Sequence, residues 1–324
     1  MIKPASIAAI ALLAGCGMTG PSTSSGVTPS GLGLTPFMRA RSVDPTLRPQ
    51  TAWMSPESKS QSLMYESDYY GDDVYVFTYP QLKQVGLLTG FSFPSGLCVD
   101  KNANVWIADE FNSQLVEYAH GAKTPTTELS DKGWYPVGCS FDSNSGSLAV
   151  SNIAGTASTP GSVSVYKNAT GKPAVHRDPD IAAVFFLSYD DHGTIWLDGE
   201  TAEQQFAYAS LKGSTFTNIT LSGATIQHPG DVDFIDGKIT VGDQQGSGGY
   251  SIVYQTSGSQ ILGSTDLIGS SDVSQYVVAG KRLVGVDAIN DAVEIWNYPA
   301  GGTMQRAVDA PWTTPNGIAI SPDS

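Results

Sequence analysis

Six times along the chain a short β-prone segment ends in an aromatic residue: Phe77, Tyr118, Tyr166, Tyr208, Tyr254 and Trp296, at spacings of 41, 48, 42, 46 and 42 residues. A second series, Asp68, Asp109, Asn152, Asp198, Asp243 and Asp287, keeps the same beat at 41, 43, 46, 45 and 44. A period in the forties means that one small unit repeats and buries its faces only against its neighbours. The units read as strands, since no stretch sustains a helical period. Residues 61–324 supply 264 residues, or 44 for each of six units. The expectation is an all-β, six-bladed β-propeller.

The second repeat shows the unit most clearly. Gly96-Leu97-Cys98-Val99-Asp100 is strand one, and the turn 101–104 leads into Val105-Trp106-Ile107-Ala108-Asp109. Strand three is Gln114-Leu115-Val116-Glu117-Tyr118, and strand four begins near Thr126. Asn and Asp fill the turns because they tolerate positive φ. The chain ends on a lone strand one, Pro315-Asn316-Gly317-Ile318-Ala319-Ile320, while the first repeat opens on a strand two, Leu63-Met64-Tyr65-Glu66-Ser67-Asp68. The last strand is therefore expected to complete the first blade, which removes the exposed edges of an open array.

Before the repeats come two segments of other kinds. Residues 1–16 carry Lys3, a short apolar run from Ile7 to Leu13, and the ending Leu13-Ala14-Gly15-Cys16. The run is too short to span a bilayer and reads as an export signal. Its ending resembles the lipobox of bacterial lipoproteins. The resemblance implies cleavage before Cys16, lipidation of that residue, and anchoring by its acyl chains. With Gly17 next, it implies outer-membrane sorting in a cell with two membranes, and a propeller held outside the cytoplasm. Residues 17–60 are rich in Ser, Thr, Pro and Gly without apolar period and read as a flexible tether. In the exported compartment Cys98 and Cys139 lie in comparable strands of consecutive repeats. The repeat alignment sets them one position out of step, so a bridge and two buried thiols both stay open.

Charge excludes one class of partner. The formal net charge is −14, and 15% of residues are charged. Phosphate binding needs clustered Lys and Arg, so nucleic acid is not expected. Nothing in the pattern asks for an oligomer, and a monomer is expected.

The repeats resemble the six-bladed NHL-repeat and senescence-marker-30/gluconolactonase-like propellers across residues 61–324. The resemblance rests on Pro94-x-Gly96-x-x-x-Asp100, Pro136-x-Gly138-x-x-x-Asp142, Pro315-Asn316-Gly317 and the strand-two ending Trp106-Ile107-Ala108-Asp109. Those enzymes hold a divalent cation at the channel mouth with one Glu, two Asn and one Asp. Carried onto this chain, Asn316 matches one Asn and Asp231 falls near the Asp. The Glu motif and the second Asn motif have no counterpart.

From the residues themselves, the Asp/Asn series is expected to encircle one mouth of the channel as a polar ring. Hard oxygen ligands there suit Ca²⁺, with Asp243 and Asp287 of the series as metal candidates beside Asn316 and Asp231, which the resemblance implies. The competing reading is that each side chain accepts backbone N–H groups in its own loop, which six-fold recurrence favours. The aromatic series reads as packing between blades. Tyr69, Tyr70, Trp134 and Tyr135 are loop aromatics able to stack on a sugar. His228, before Pro229-Gly230-Asp231, is the histidine nearest a mouth. No nucleophile elbow or phosphate loop occurs, and no catalytic residue or required cofactor is assigned. The leading expectation is a lipid-anchored, non-catalytic propeller binding an envelope protein or glycan. The alternative is a metal-dependent lactonase-like hydrolase.

Overall fold

Every repeat forms a small antiparallel sheet, and the six sheets stand in a ring as a six-bladed β-propeller. The computed structural model describes residues 51–308 and 310–323. The signal segment, Cys16 and most of the proposed tether lie outside the described residues. The inner strands are Pro94–Val99, Trp134–Phe141, Ala183–Tyr189, Pro229–Ile235, Val273–Ala279 and Pro315–Ser321. Consecutive members of this set neighbour one another around the channel, and Pro315–Ser321 meets both Val273–Ala279 and Pro94–Val99.

Closure follows the expected route. Leu63–Asp68 pairs antiparallel with Pro315–Ser321, from Leu63 opposite Ser321 to Asp68 opposite Pro315. The closing strand must pass close to the second blade, and Gly317 permits it. A Cβ there would lie 2.3 Å from the Ser95 carbonyl oxygen. The Gly317 N–H donates to Ser67 Oγ, which in turn donates to the Ser95 carbonyl at 2.6 Å. The seam between the last strand and the first two blades is thus hydrogen-bonded as well as packed.

The core lies between blades. One cluster joins Leu63, Tyr65, Val74 and Val76 of the first blade to Leu97, Val105, Ile107 and Tyr118 of the second. Another joins Met64, Tyr75 and Phe77 to Val284, Val286, Val293 and Ile295 of the sixth. All six residues of the aromatic series are buried, none more than 8% exposed. Two also reach back to the preceding blade: Tyr166 Oη donates to the Ser130 carbonyl at 3.0 Å and Trp296 Nε1 to Ile268 at 3.3 Å. Each aromatic therefore fills the wedge between two sheets, where a large buried ring contributes most.

The propeller begins before residue 61. Trp53–Met54 pairs with Gln84–Thr89 as a fifth, outermost strand of the first blade, followed by the 3-10 turn Pro56–Ser60. Met54 fits because Gly86 opposite it has no side chain; a Cβ would meet its sulfur at 2.4 Å. The tether boundary expected at residue 60 moves accordingly. A two-residue strand carries no readable alternation, and its signal is the gap it fills.

Candidate functional site

The Asp/Asn series sits at the expected end of the propeller, but one strand out from the channel. All six side chains are buried. Asp68 accepts from Thr313 N and Thr314 N, each at 2.8 Å, from Thr313 Oγ1 at 2.7 Å, and from Gly71 N at 3.2 Å. Asp109 takes Ser92 N at 2.7 Å, Asp243 takes His228 N at 3.0 Å, and Asp287 takes Asp272 N at 3.2 Å. In these four blades the carboxylate caps N–H groups just ahead of the inner strand, where a Pro or a turn leaves the backbone without ladder partners. Asn152 donates instead to Ser162 Oγ and Ser164 Oγ, and Asp198 accepts Phe186 N at 3.1 Å inside a bulge of its inner strand. The geometry is that of a blade-by-blade clasp.

The four metal candidates are not gathered. Among the described residues, the only group of three His, Cys, Asp or Glu side chains with ligand atoms within 4.8 Å of one another is Asp190, Asp191 and His192. That trio occupies an exposed hairpin tip, and both Asp190 oxygens already accept N–H groups of its own hairpin. Asp243 and Asp287 cap their loops. Asn316 Nδ2 donates to Ser95 Oγ at 2.9 Å, and its carbonyl accepts Ser274 Oγ at 2.8 Å. Asn316 therefore braces three inner strands against one another. Asp231 faces the channel itself.

Cys98 and Cys139 form a disulfide between the first two inner strands in chain order, with Cα atoms 5.6 Å apart. Both inner strands carry the same one-residue register shift after their Pro, so the offset remains. Cys98 stands opposite Trp106 and Cys139 opposite Val150, one step apart along their strands, and the bridge joins these staggered positions.

At the opposite mouth, where the inner strands end, a pocket of about 470 Å³ opens. Asp231, Asp233 and Asp142 lie along one side of it; Leu97, Val277 and Ile320 lie along the other. Burial pushes Asp231 well above the usual carboxylate range, with Asp233 beside it adding to the effect. Asp233 is raised too, chiefly by burial. The Asp231-Val232-Asp233 spacing puts both on one face of a strand, a signal the repeat-based reading passed over.

A third feature is a row of aromatics on the clasped face. Ring centroids run from Tyr69 to Phe93 at 4.9 Å, Tyr70 to Phe93 at 5.9 Å, Phe93 to Phe111 at 4.6 Å and Phe111 to Tyr135 at 5.4 Å. Tyr70 is 38% and Phe111 40% exposed, so the row crosses the first three blades at the surface. Phe93 holds φ at +58°, a costly conformation for a bulky residue, secured by its N–H on Asp72 Oδ1. Beneath the row Glu110 is buried with Oε2 lacking a partner, and burial drives it well above its ordinary range. Tyr70 and Tyr135 were read from sequence as stacking residues. Phe93 and Phe111 were not, although Phe93 precedes Pro94 as Tyr135 precedes Pro136, and Phe111 follows Asp109 by two as Tyr70 follows Asp68. That two-blade recurrence was the available signal.

No protein-family model and no curated protein matches the chain. Solved structures do. A chain of a nidogen–laminin complex matches with a TM-score of 0.66 at 13% identity, over 81% of this chain and 99% of that one. A Bacteroides caccae protein of unknown function matches with a TM-score of 0.61 at 9% identity, over the same shares. At such identities the likeness is one of fold, and it is that of a six-bladed propeller.

Proposed function

We propose that this chain is a non-catalytic binding and scaffold protein of the bacterial cell envelope, anchored through lipid on Cys16 and related to the NHL-repeat and gluconolactonase-like propellers. The observation carrying this reading is the exposed aromatic row Tyr70, Phe93, Phe111 and Tyr135 on one face of a rigid scaffold. Aromatic anchors are the residues that dominate binding surfaces, and these stand in short turns beside the strands of three adjacent blades, with Tyr135 at the start of its strand. The strained Phe93 supports a role beyond packing. The neighbour from the nidogen–laminin complex belongs to a protein assembly, which is consistent with a propeller used for docking. In this reading the partner is an envelope protein or glycan, and the chain acts as a monomer outside the cytoplasm.

Two measurements test it. Purified protein should sediment with isolated envelopes, and Tyr70→Ala with Phe111→Ala should lower its affinity about tenfold. Equal sedimentation of both forms would overturn the docking role. Cys16→Ser should abolish incorporation of labelled fatty acid in cells; unchanged labelling would remove the anchor.

A further inference from the structure

The pocket at the unclasped mouth is built by the scaffold itself, since every one of the six inner strands contributes to its wall. Gln275 fixes the wall on one side. Its Oε1 accepts Leu97 N at 3.1 Å and Ile318 N at 2.9 Å, and its Nε2 donates to the Leu97 carbonyl at 3.0 Å. One side chain thus ties the sixth blade to the first and second. A volume near 470 Å³ is in the range that holds a small organic ligand.

The pocket is two-sided in charge. Blades three to five present Asp142, Asp190, Asp191, Asp231 and Asp233, whereas blades one, two and six present Leu97, Val99, Val277 and Ile320 and no charged group. Among the described residues, no Lys, Arg or His lines it. Asp231 is 6% exposed and holds Tyr276 N at 3.2 Å; Asp233 holds Ser188 Oγ at 3.3 Å and Phe234 N at 2.7 Å. A further carboxyl, Asp198 of the fourth blade, is fully buried within electrostatic reach of Asp231, and its Oδ2 has no partner. Buried acidic groups without a counter-charge are costly, and protein interiors rarely keep them without cause.

Two facts separate the kinds of cation that could supply that charge. A divalent ion needs several oxygens converging at 2.3–2.6 Å, and Asp142, Asp198, Asp231 and Asp233 form no group of three within 4.8 Å. The one trio at the pocket rim among the described residues, Asp190, Asp191 and His192, is solvent-facing, with both Asp190 oxygens already accepting N–H groups. The half-buried rings of Phe141, Tyr189 and Phe234 stand on the acidic side of the pocket. Ring faces attract ammonium and guanidinium groups, and combine well with carboxylates for that purpose. A hydrocarbon wall opposite would take the rest of such a ligand.

We propose that this pocket binds an organic cation, an ammonium or guanidinium group on an alkyl stem, with its charge at Asp231 and Asp233 and its stem against Leu97, Val277 and Ile320. The site is separate from the aromatic row and stands whether or not that face docks a partner.

Calorimetric titration of the full chain tests it with choline, butylguanidinium, spermidine, calcium chloride, and a short peptide with one arginine against its alanine counterpart. At least one organic cation should bind with Kd below about 1 mM. Binding of a free cation assigns the site to a small molecule, and binding of the arginine peptide alone assigns it to a partner's side chain; either supports the proposal. Asp233→Asn should weaken binding at least about tenfold. Phe234→Leu, which alters no carboxylate, should weaken it severalfold, and Tyr70→Ala should leave it unchanged. The proposal fails if no organic cation binds, if calcium alone binds, or if both pocket variants bind like the parent.

Discussion

The two ends of this propeller use the same residue type for opposite ends. On the clasped face, Asp68 and Asp287 each accept from several backbone N–H groups, and their side chains are committed before any ligand arrives. At the other mouth Asp231 and Asp233 have fewer donors, face open space, and repel each other along one strand. The recurring carboxylates belong to the blade, and the carboxylates that break the recurrence are the ones left for chemistry. In a repeat fold, then, a residue repeated once per unit reports on the unit, and an unrepeated one reports on the molecule.

The sharpest way to break this contrast is to remove a clasp. Asp68→Ala would take away the buried carboxylate on which the exposed Thr313 and half-buried Thr314 N–H groups converge. Losing a charged acceptor of several donors should cost about 3–5 kcal/mol. Urea unfolding would read it as a lower midpoint with an unchanged slope. A loss under about 1 kcal/mol would mean that the clasp is incidental and the two mouths differ little.

That contrast also explains what could be read from the chain. The blade count, the closing strand and the buried aromatics follow from period and phase, which are properties of one repeat seen six times. Asn316 looked like a ligand because its Pro-Asn-Gly setting matches one in enzymes of this shape, yet its amide braces Ser95. The aromatic row is a partial repeat: Tyr70 and Phe111 each stand two residues after a series Asp, and Phe93 and Tyr135 each precede the Pro that opens an inner strand. Each position is aromatic in only two blades, so a six-fold count passes over it. Cys98 and Cys139 could not be phased because alternation is counted within a strand and carries no information on the stagger between inner strands of neighbouring blades.

A second, smaller effect comes from carboxyls behind the clasps. Glu66 and Asp272 are fully buried without partners, and burial drives both well above the usual range. Burial likewise pushes Glu294 up to about 7, against the opposing hydrogen bond from Asn290. An unfolded Glu ionises near 4.3, so between that pH and about 7 the folded chain keeps a proton at Glu294 that the unfolded chain releases. The stability from such groups is complete below the unfolded pKa and is lost as pH rises through the folded one. Melting temperature should therefore climb by about 3 °C or more from pH 8 to pH 5.5. Glu294→Gln should flatten the part of that rise below pH 7. A melting temperature that falls steadily over this range would show that the clasps, and not these neutral carboxyls, control the titration.

The smallest effect is the most discriminating. Asp231→Asn with Asp233→Asn removes the charge at the pocket while keeping shape, and an Asn carbonyl can still accept the Tyr276 N–H that Asp231 holds. Relief of repulsion between two neighbouring carboxylates offsets whatever hydrogen-bond strength is lost, so the change should stay within about 1 kcal/mol and be stabilising at pH 8. Asp68→Asn should do the reverse, because several donors converge on Asp68 and an amide presents one acceptor oxygen to them. Denaturant titration of both variants at pH 8 makes the comparison directly. If the pocket pair costs as much as the clasp, Asp231 and Asp233 are structural carboxylates like the other series, and the asymmetry between the two mouths disappears.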